Sequence, residues 1–429
     1  MKKQVYVCLA ADILHEGHIN ILKKAAKHGE VTVGLMTDNA INKFKKIPFL
    51  NYEQRQIVVK NLTMVKKVIP QQTMDYRPNL KLLKPNYVIH GDIWKPALKK
   101  HRREVIDQLK KWSGKLIEYP YTKNISSSVI KDDIVNSPLF NISRVSMLQR
   151  LIEVKKFVRI IEAHSPLAGL IVENAKYEKG KIENEYDGMW SSSLTESLMR
   201  GKPDNQSVEL STRITALNEL MDVTTKPVVF DADNGGRIEH LSYKINSLER
   251  QGVSAIVLED KIGLKKNSLF KDQKNAQQDS IQNFSKKLKV AAKSKRSKNF
   301  LIIARIESFI LGKGLNDALK RAKAYSNSGA DAILIHSKKD NPNEIFKFSK
   351  IYNKYSNAKI LVAVPSSYSK TLEKSLINNG FKIVIYANHM LRASYLSMNK
   401  VANNILKDSR SFESEKSIAK ISDLLKYSK

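Results

Sequence analysis

Residues 227–236 of the chain read Pro-Val-Val-Phe-Asp-Ala-Asp-Asn-Gly-Gly, a short apolar run that ends in two carboxylates and two glycines. An apolar run of this length bounded by turn residues predicts a buried strand of a parallel sheet. Seven more such runs occur, at Ala168–Glu173, Tyr186–Trp190, Val253–Leu258, Phe300–Ile306, Ala330–Ile335, Ile360–Val364 and Lys382–Tyr386. Eight strands that alternate with helices within roughly 290 residues predict a (β/α)8 barrel.

The residues that precede this region show a second, shorter alternation. Its predicted strands are Gln4–Ala10, Glu30–Thr37, Lys66–Pro70, Tyr87–Asp92 and Lys115–Pro120, and helical patterns lie near Gly17–Lys27, Tyr52–Leu62 and Ala97–Trp112. Strands that alternate with helices in this way predict a Rossmann-like, doubly wound parallel sheet. We therefore expect an α/β protein with a nucleotide-binding domain over residues 1–136, a linker over 137–149, and a barrel with C-terminal helices over 150–429.

The composition excludes several classes of protein. Of the 429 residues, 42% are hydrophobic, which is enough for packed cores and excludes a wholly disordered chain. The single cysteine, Cys8, excludes a disulfide scaffold and a cysteine-based zinc cluster, and it fits a reducing compartment. No stretch approaches the roughly 20 apolar residues of a membrane span. We therefore expect a soluble, cytoplasmic protein without a membrane partner.

The net charge of +32, from 74 basic and 42 acidic residues, raises the alternative of a basic nucleic-acid-binding protein on an enzyme-like fold. The excess is spread along the chain instead of lying in a tail or arm. Its densest stretch, Lys286–Lys298, follows a predicted strand and has the pattern of a solvated helix. We therefore expect small-molecule substrates and no nucleic-acid partner.

Polar residues collect where the predicted barrel strands end. The carboxylates Asp231, Asp233 and Glu259 follow two neighbouring strands. In a barrel these ends meet at one face, and carboxylates without a Cys or His cluster suit a hard cation, Mg2+ above all. Cationic or imidazole side chains that offer positive charge to an anionic substrate occur at Lys265, Arg305 and His336.

Residues 150–429 resemble phosphoenolpyruvate mutase, a member of the isocitrate lyase and phosphoenolpyruvate mutase superfamily. The segments that carry the resemblance are Asp187–Thr195, Gly201–Asp204, Asp231–Asp233, Glu259–Lys261, Lys265–Leu269, Ala304–Glu307, His336–Lys338 and Ala387–Arg392. The resemblance implies an isomerase of phosphonate biosynthesis that interconverts phosphoenolpyruvate and 3-phosphonopyruvate with Mg2+. Barrels of this family associate, so it also implies a homo-oligomer, either a dimer or a tetramer.

The resemblance also implies roles for individual residues. Mg2+ would be held by Asp231, Asp233 and Glu259, and the substrate would be anchored by Trp190, Ser192, Ser193 and Leu194. The catalytic set would be Asp204, Lys265, Asn267, Arg305 and His336, in which Asp204 acts either as a nucleophile or as an electrostatic guide.

Two other activities of the superfamily remain to be weighed. Its carbon–carbon lyases use a loop cysteine as general acid and base, whereas this chain has only Cys8, in the other domain. Phosphonopyruvate hydrolase, which releases pyruvate and phosphate, typically has Thr at the position of Asn267. Asn267 therefore favours the mutase, and hydrolysis stays open as the alternative.

The N-terminal domain carries a second motif, Asp12-Ile-Leu-His15-Glu-Gly-His18, between a predicted strand and a predicted helix. Two imidazoles at a helix N-terminus can face one triphosphate, because the helix dipole and the free backbone N–H groups favour phosphate there. The domain resembles the His-x-Gly-His cytidylyltransferases. Its expected nucleotide-binding residues are Asp12, His15, His18, Lys46, Arg55, Asp92, Ser126, Ser127 and Ser128, and its expected substrate is CTP, from which CMP would pass to a phosphonate.

Overall fold

The structure is a computed structural model, and it describes residues 2–43, 47–92, 94, 99–122, 140–155, 157–179, 182–263, 265–268, 273 and 276–426. The chain divides into two compact units, Met1–Phe140 and Asn141–Lys429. Among the described residues, no helix is both long enough and apolar enough to cross a membrane.

The N-terminal unit contains a parallel sheet of five strands in the order β3-β2-β1-β4-β5. The strands are β1 Gln4–Leu9, β2 Glu30–Met36, β3 Val65–Gln71, β4 Tyr87–Gly91 and β5 Lys115–Tyr119. The helices are α1 Glu16–Ala26, α2 Asp38–Asn42, α3 Tyr52–Lys60, α4 Arg77–Leu83 and α5 Lys99–Lys110. All five predicted strands are present with ends within one residue of the prediction, and the doubly wound sheet is confirmed.

Both faces of the central strand β1 are buried from Val5 to Val7, which is why its sequence is apolar after Gln4. Val5 and Val7 pack with Leu22 of α1, whereas Tyr6 packs on the opposite face with Leu80 of α4. The strand order reverses at β1, and in doubly wound sheets such a switch point opens a crevice at the carboxyl ends of the strands. The His-x-Gly-His motif begins directly beyond the carboxyl end of β1.

The C-terminal unit is a closed barrel of eight strands, in the order β10-β11-β14-β15-β16-β17-β6-β9. They are β6 Val158–Glu162, β9 Gly188–Ser191, β10 Val228–Asp231, β11 Ala255–Glu259, β14 Leu301–Ile306, β15 Ala332–Ile335, β16 Ile360–Ala363 and β17 Phe381–Tyr386. All neighbouring pairs are parallel. Two short antiparallel pairs lie between barrel strands, β7 Lys176–Lys179 with β8 Ile182–Glu185 and β12 Lys261–Ile262 with β13 Gln277–Gln278. The predicted (β/α)8 barrel is confirmed.

Helices connect and follow the barrel strands. They are α6 Phe140–Val154, α7 Pro166–Asn174, α8 Ser193–Met199, α9 Leu210–Asp222, α10 Ile238–Arg250, α11 Ile281–Ser294, α12 Gly314–Ser326, α13 Asn343–Tyr352, α14 Glu373–Asn378, α15 His389–Asp408, α16 Phe412–Glu415 and α17 Ile421–Leu425. The core between helices and strands is formed by large apolar side chains such as Phe230, Phe284 and Phe348, all fully buried.

One local prediction is wrong. The run Ala168–Glu173 lies in helix α7, which starts at Pro166 and whose cap, Ser165, accepts a hydrogen bond from the Ala168 backbone N–H. The first barrel strand is instead β6, whose apolar pattern is interrupted by Arg159. The division between the two units falls inside the predicted linker over 137–149. Within that linker, helix α6 begins at Phe140, and residues 137–139 lie outside the described part of the chain.

Candidate active site

The carboxyl ends of the barrel strands surround a pocket. Its lining comprises Trp190, Ser192, Ser193, Leu194, Asp204, Asp231, Lys265, Asn267, Ser268, Arg305, Leu334, His336, Val364, Ser366, Ala387 and Asn388. Every barrel residue predicted to anchor the substrate or to act in catalysis is in this set. Of the three predicted metal ligands, Asp231 lines the pocket, and Asp233 and Glu259 lie beside it, close to Lys265 and Arg305 respectively.

Asp231 ends strand β10 and is buried at the base of the pocket. Its Oδ2 accepts a hydrogen bond of 2.8 Å from the Ser193 hydroxyl at the start of α8. Burial alone would raise its pKa, but the nearby positive charges of Lys265, Arg305 and Arg213 outweigh that effect and bring the pKa to about 2. Asp231 is therefore a carboxylate at neutral pH.

The other two predicted metal ligands are joined through the backbone. Asp233 has a left-handed backbone with φ 53°, and its carbonyl accepts a 2.8 Å hydrogen bond from the Glu259 N–H. The Glu259 side chain lies 3.6 Å from the Arg305 guanidinium. Burial raises the pKa of Glu259 to about 7, with Arg305 acting in the opposite direction.

Lys265 places its ammonium group among three carboxylates from two segments. Its Nζ contacts Asp233 Oδ1 and the Ser193 hydroxyl, lies 3.0 Å from Asp204 Oδ1, and lies 4.0 Å from Asp231 Oδ2. Burial would lower the pKa of Lys265, but the surrounding carboxylates raise it above its ordinary value. The side chain is therefore a fixed positive charge in the pocket.

Asp204 is held by two residues that follow strand β11. Asn267 Nδ2 donates a 2.7 Å hydrogen bond to Asp204 Oδ2, while Lys265 faces the other oxygen. The predicted catalytic residues Asp204, Asn267 and Lys265 thus form one contact group, although Asp204 and Asn267 are 63 residues apart in the sequence.

Arg305 and His336 also line the pocket and lie next to each other. Arg305 Nε donates to Glu307 Oε1 at 2.6 Å, and Nη2 lies 3.1 Å from His336 Nδ1. Burial, followed by the charge of Arg305, lowers the pKa of His336. The imidazole is therefore neutral at neutral pH.

Four buried polar residues support these groups, and none of them was among the predicted site residues. They are Glu196, Arg213, Lys261 and Glu307. Lys261 lies 3.2 Å from Glu307 Oε2, so that Glu307 is placed between two cations, Lys261 and Arg305. Glu307 and Lys261 could have been found from their place at strand ends, whereas Arg213 lies on an ordinary amphipathic helix and gives no such signal.

The three predicted metal ligands have donor atoms that suit Mg2+. Asp231, Asp233 and Glu259 supply only oxygen donors, which a hard cation prefers. Across the described part of the chain, no three carboxylates, imidazoles or thiols stand in a ready-made coordination cluster. The Lys265 ammonium instead lies against Asp233 and near Asp231, so these two carboxylates form a site that accepts positive charge.

In the N-terminal unit, His15 and His18 lie together at the start of α1. His15 caps the helix, its Nδ1 accepting a 3.1 Å hydrogen bond from Gly17 N, and the two imidazole centroids are 4.0 Å apart. A Cβ at Gly17 would lie 2.9 Å from the His15 ring, which explains the glycine between them. Burial lowers the pKa of His15.

Of the other predicted nucleotide-binding residues, the structure describes Arg55, Asp12 and Asp92. Arg55 is fully buried, and it donates hydrogen bonds to the Leu50 and Ala10 carbonyls and to Asp38, so it supports the loop after β1. Asp12 Oδ1 accepts from Leu50 N at 3.2 Å, and Asp92 Oδ1 accepts from Tyr121 N at 3.0 Å. The remaining predicted ligands, Lys46, Ser126, Ser127 and Ser128, lie outside the described residues.

A parallel eight-stranded barrel with a buried charged pocket at the carboxyl ends of its strands is the architecture of a (β/α)8-barrel enzyme. The family model described as phosphoenolpyruvate phosphomutase matches residues 148–406. The chain belongs to this family. A second model, described as cytidylyltransferase-like, matches residues 10–133, so a cytidylyltransferase-like domain precedes the barrel.

Individual relatives and solved structures agree with this assignment. The phosphoenolpyruvate phosphomutase of Tetrahymena pyriformis is 32% identical over 284 residues, 66% of this chain and 90% of the relative. The phosphonopyruvate hydrolase of Variovorax sp. (strain Pal2) is 31% identical over 265 residues, 61% of this chain and 87% of the relative. The crystal structure of phosphoenolpyruvate phosphomutase from Streptomyces platensis subsp. rosaceus has a TM-score of 0.61 and 31% identity, covering 66% of this chain and 94% of that chain.

A second solved structure shows what a related protein binds. It is phosphonopyruvate hydrolase in complex with oxalate and Mg2+, with a TM-score of 0.59 and 28% identity, covering 66% of this chain and 94% of that chain. Mutases and hydrolases are thus similar to this chain to nearly the same degree.

Proposed function

We propose that the barrel is a phosphoenolpyruvate mutase that interconverts phosphoenolpyruvate and 3-phosphonopyruvate. The observation that carries the proposal is the contact of Asn267 with Asp204 inside a pocket that also contains Lys265, Arg305 and His336. The relatives named phosphoenolpyruvate phosphomutase support it as well.

The reaction places few demands on acid–base groups. In the synthetic direction the bond between phosphorus and the enol oxygen breaks, its electrons stay on the oxygen as an enolate, and the methylene carbon then forms the bond to phosphorus. No proton is gained or lost, and no water is consumed. The fixed charges of Arg305 and Lys265, with a neutral His336, are suited to this chemistry, because a loose phosphoryl transfer needs positioning and charge stabilisation.

Within this proposal, different residues of the chain bind the phosphoryl half and the pyruvyl half of the substrate. Arg305, His336 and Asn267 hold the phosphoryl oxygens, and the segment that begins α8 at Ser193 anchors the pyruvyl half. Mg2+ held by Asp231, with Asp233 and Glu259, would supply charge neutralisation and polarisation of the pyruvyl oxygens. Asp204 faces the migrating group, either as its transient acceptor or as an electrostatic guide.

Phosphorus NMR tests the proposal directly. The full chain is incubated with Mg2+ and phosphonopyruvate, and we expect the phosphonate signal to be replaced by that of phosphoenolpyruvate. A sample treated with EDTA serves as the control. Free phosphate as the first product would replace the mutase with the hydrolase that the Variovorax relative suggests. An unchanged spectrum in the presence of Mg2+ would contradict both activities.

We further propose that the cytidylyltransferase-like domain transfers CMP from CTP to a phosphonate. His15 and His18, 4.0 Å apart at a helix N-terminus, are placed to stabilise a triphosphate in its transition state. The domain match to a cytidylyltransferase-like family supports the choice of CTP. The barrel and this domain would then act in succession on related phosphonates.

Pyrophosphate release measures this second activity. The full chain is given CTP with 2-aminoethylphosphonate or phosphonopyruvate, and we expect release with one of them. Substituting His15→Ala should lower the release by about 10²-fold or more, because a transition-state hydrogen bond is lost. The barrel's phosphonopyruvate turnover, measured on the same sample, should not change. No release from the unaltered chain with either acceptor, alongside an active barrel, would overturn the proposal.

A further inference from the structure

Arg213 lies behind the pocket, on helix α9, and is only 4% exposed. Its Nε donates a 3.0 Å hydrogen bond to Glu196 Oε2, and its Nη1 donates a 2.6 Å hydrogen bond to the backbone carbonyl of Asp231. The same Nη1 lies 3.6 Å from Asp233 Oδ2. The guanidinium also covers the ring of Phe230 at 4.1 Å from its centroid. All of these contacts are made with residues at or just beyond the ends of β9 and β10.

Glu196 continues this network to the neighbouring strand. It accepts a hydrogen bond from the hydroxyl of Ser191, the last residue of β9, and it lies in the first turn of α8. Arg213 and Glu196 thus connect the segment Ser191–Leu194, which leads into the pocket, with the segment Asp231–Asp233. The two strand ends are joined by side chains that do not line the pocket.

Burying the ion pair of Arg213 and Glu196 costs desolvation free energy, so stability alone is a poor explanation for it. Burying an ion pair removes two charges from water, and well-packed apolar residues of similar volume often stabilise a core as well or better. A planar guanidinium, however, fixes several acceptors at once in one geometry. Here those acceptors belong to the two segments whose relative position determines where substrate and Mg2+ would lie.

We infer that Arg213, together with Glu196, is a positioning residue that fixes the carboxylates of Asp231 and Asp233 relative to the substrate-anchoring segment. Arg213 touches no reacting atom and acts through the residues it holds. Asp233 then lies between two cations, Arg213 on helix α9 and Lys265 on the segment after β11. The inference rests on the proposed function for the identity of the metal and of the substrate.

The test measures Mn2+ affinity by electron paramagnetic resonance, with kcat, KM and thermal unfolding on the same samples of the full chain. Arg213→Lys keeps the charge but loses the planar fork, and we expect Mn2+ to bind about 10- to 100-fold more weakly, as for other groups that orient metal ligands. The double variant Arg213→Met/Glu196→Gln removes both buried charges together, which leaves neither unpaired, and should show the same loss.

Arg144→Lys is the matched control. Arg144 is equally buried on a helix of the same unit, but its partners are the backbone carbonyls of Met221 and Thr224 and the Met221 sulfur, away from the pocket. We expect a lower unfolding temperature in this variant and Mn2+ affinity within about twofold of the unaltered chain.

The outcomes separate the inference from the proposed function. Mn2+ affinity and kcat that stay unchanged in both Arg213 variants would show that Arg213 is structural only, whatever reaction the barrel performs. Weaker Mn2+ binding in a chain that hydrolyses phosphonopyruvate would support the inference while contradicting the mutase. A chain that binds no Mn2+ before any substitution would overturn both the metal assignment and the inference.

Discussion

Asp204→Asn is expected to lower turnover of phosphonopyruvate by about 10²- to 10³-fold or more while the barrel stays folded. Asparagine has nearly the same shape as aspartate, so the contact with Asn267, 2.7 Å in the structure, can be kept. The substitution removes the negative charge that faces Lys265 at 3.0 Å and that would face the phosphoryl group. Loss of one preorganised charge in a desolvated site carries a penalty of that size.

Phosphorus NMR gives the rate, and circular dichroism gives the fold. Asp317→Asn is the control, because Asp317 pairs with Arg321 on helix α12 and does not line the pocket. Asn267→Ala should reproduce the loss, since it removes the group that orients Asp204. Full activity in both pocket variants would show that these two residues have no part in the reaction.

A quenched sample separates the two roles of Asp204. If its carboxylate accepts the phosphoryl group, acid quenching during turnover should trap phosphate on the peptide that contains Asp204. A guiding charge leaves that peptide unmodified while the rate of Asp204→Asn still falls. The position of Asp204 beside Lys265 and Asn267 is compatible with both results. Trapped phosphate would mean transfer through a phosphorylated aspartate, and an unmodified peptide would mean direct transfer guided by the charge of Asp204.

The fold was predictable from the sequence because the apolar runs and the polar residues at their ends repeat along the chain. The run that precedes Asp231 is buried on all sides in β10 and therefore continuously apolar. Strand β6 was missed because Arg159 interrupts its pattern, and the charge of Arg159 is balanced by Glu373, more than 200 residues away. The short apolar run of helix α7 predicts a strand, whereas its cap at Ser165 and the proline at its first position, Pro166, are helix-start signals.

The prediction of the site residues was limited for the same reason, because some of them depend on partners that are distant in the sequence. Asp231, Arg305 and His336 were predictable because they occupy strand ends. Asp204 and Asn267 lie in loops and were predicted only from the resemblance to phosphoenolpyruvate mutase. The role of a buried cation was not predictable, because it depends on partners distant in sequence. Arg55 was expected to face a triphosphate, and the structure surrounds it with the Ala10 carbonyl and Asp38. Arg213 was not expected to take part at all, although it reaches the carbonyl of Asp231.

Lys265→Met is expected to change metal affinity and turnover in opposite directions. The ammonium contacts Asp233 and lies 3.0 Å from Asp204 and 4.0 Å from Asp231. Two unit charges 4 Å apart interact by about 4 kcal/mol near a protein surface. Methionine removes a positive charge that repels a divalent cation from the same oxygens, so Mn2+ should bind at least about tenfold more tightly, a change of about 1.4 kcal/mol.

Turnover should nevertheless fall by about 10²-fold or more, because the same ammonium is one of the fixed charges that stabilise the phosphoryl group in transfer. Electron paramagnetic resonance with Mn2+ measures the affinity, and phosphorus NMR measures the rate. Lys265→Arg retains the charge and should leave the affinity close to that of the unaltered chain. Lys202→Met, at an exposed position, controls for the general loss of one positive charge. Weaker Mn2+ binding in Lys265→Met would mean that the lysine supports the metal site instead of competing with the metal, because a competitor's removal can only tighten binding.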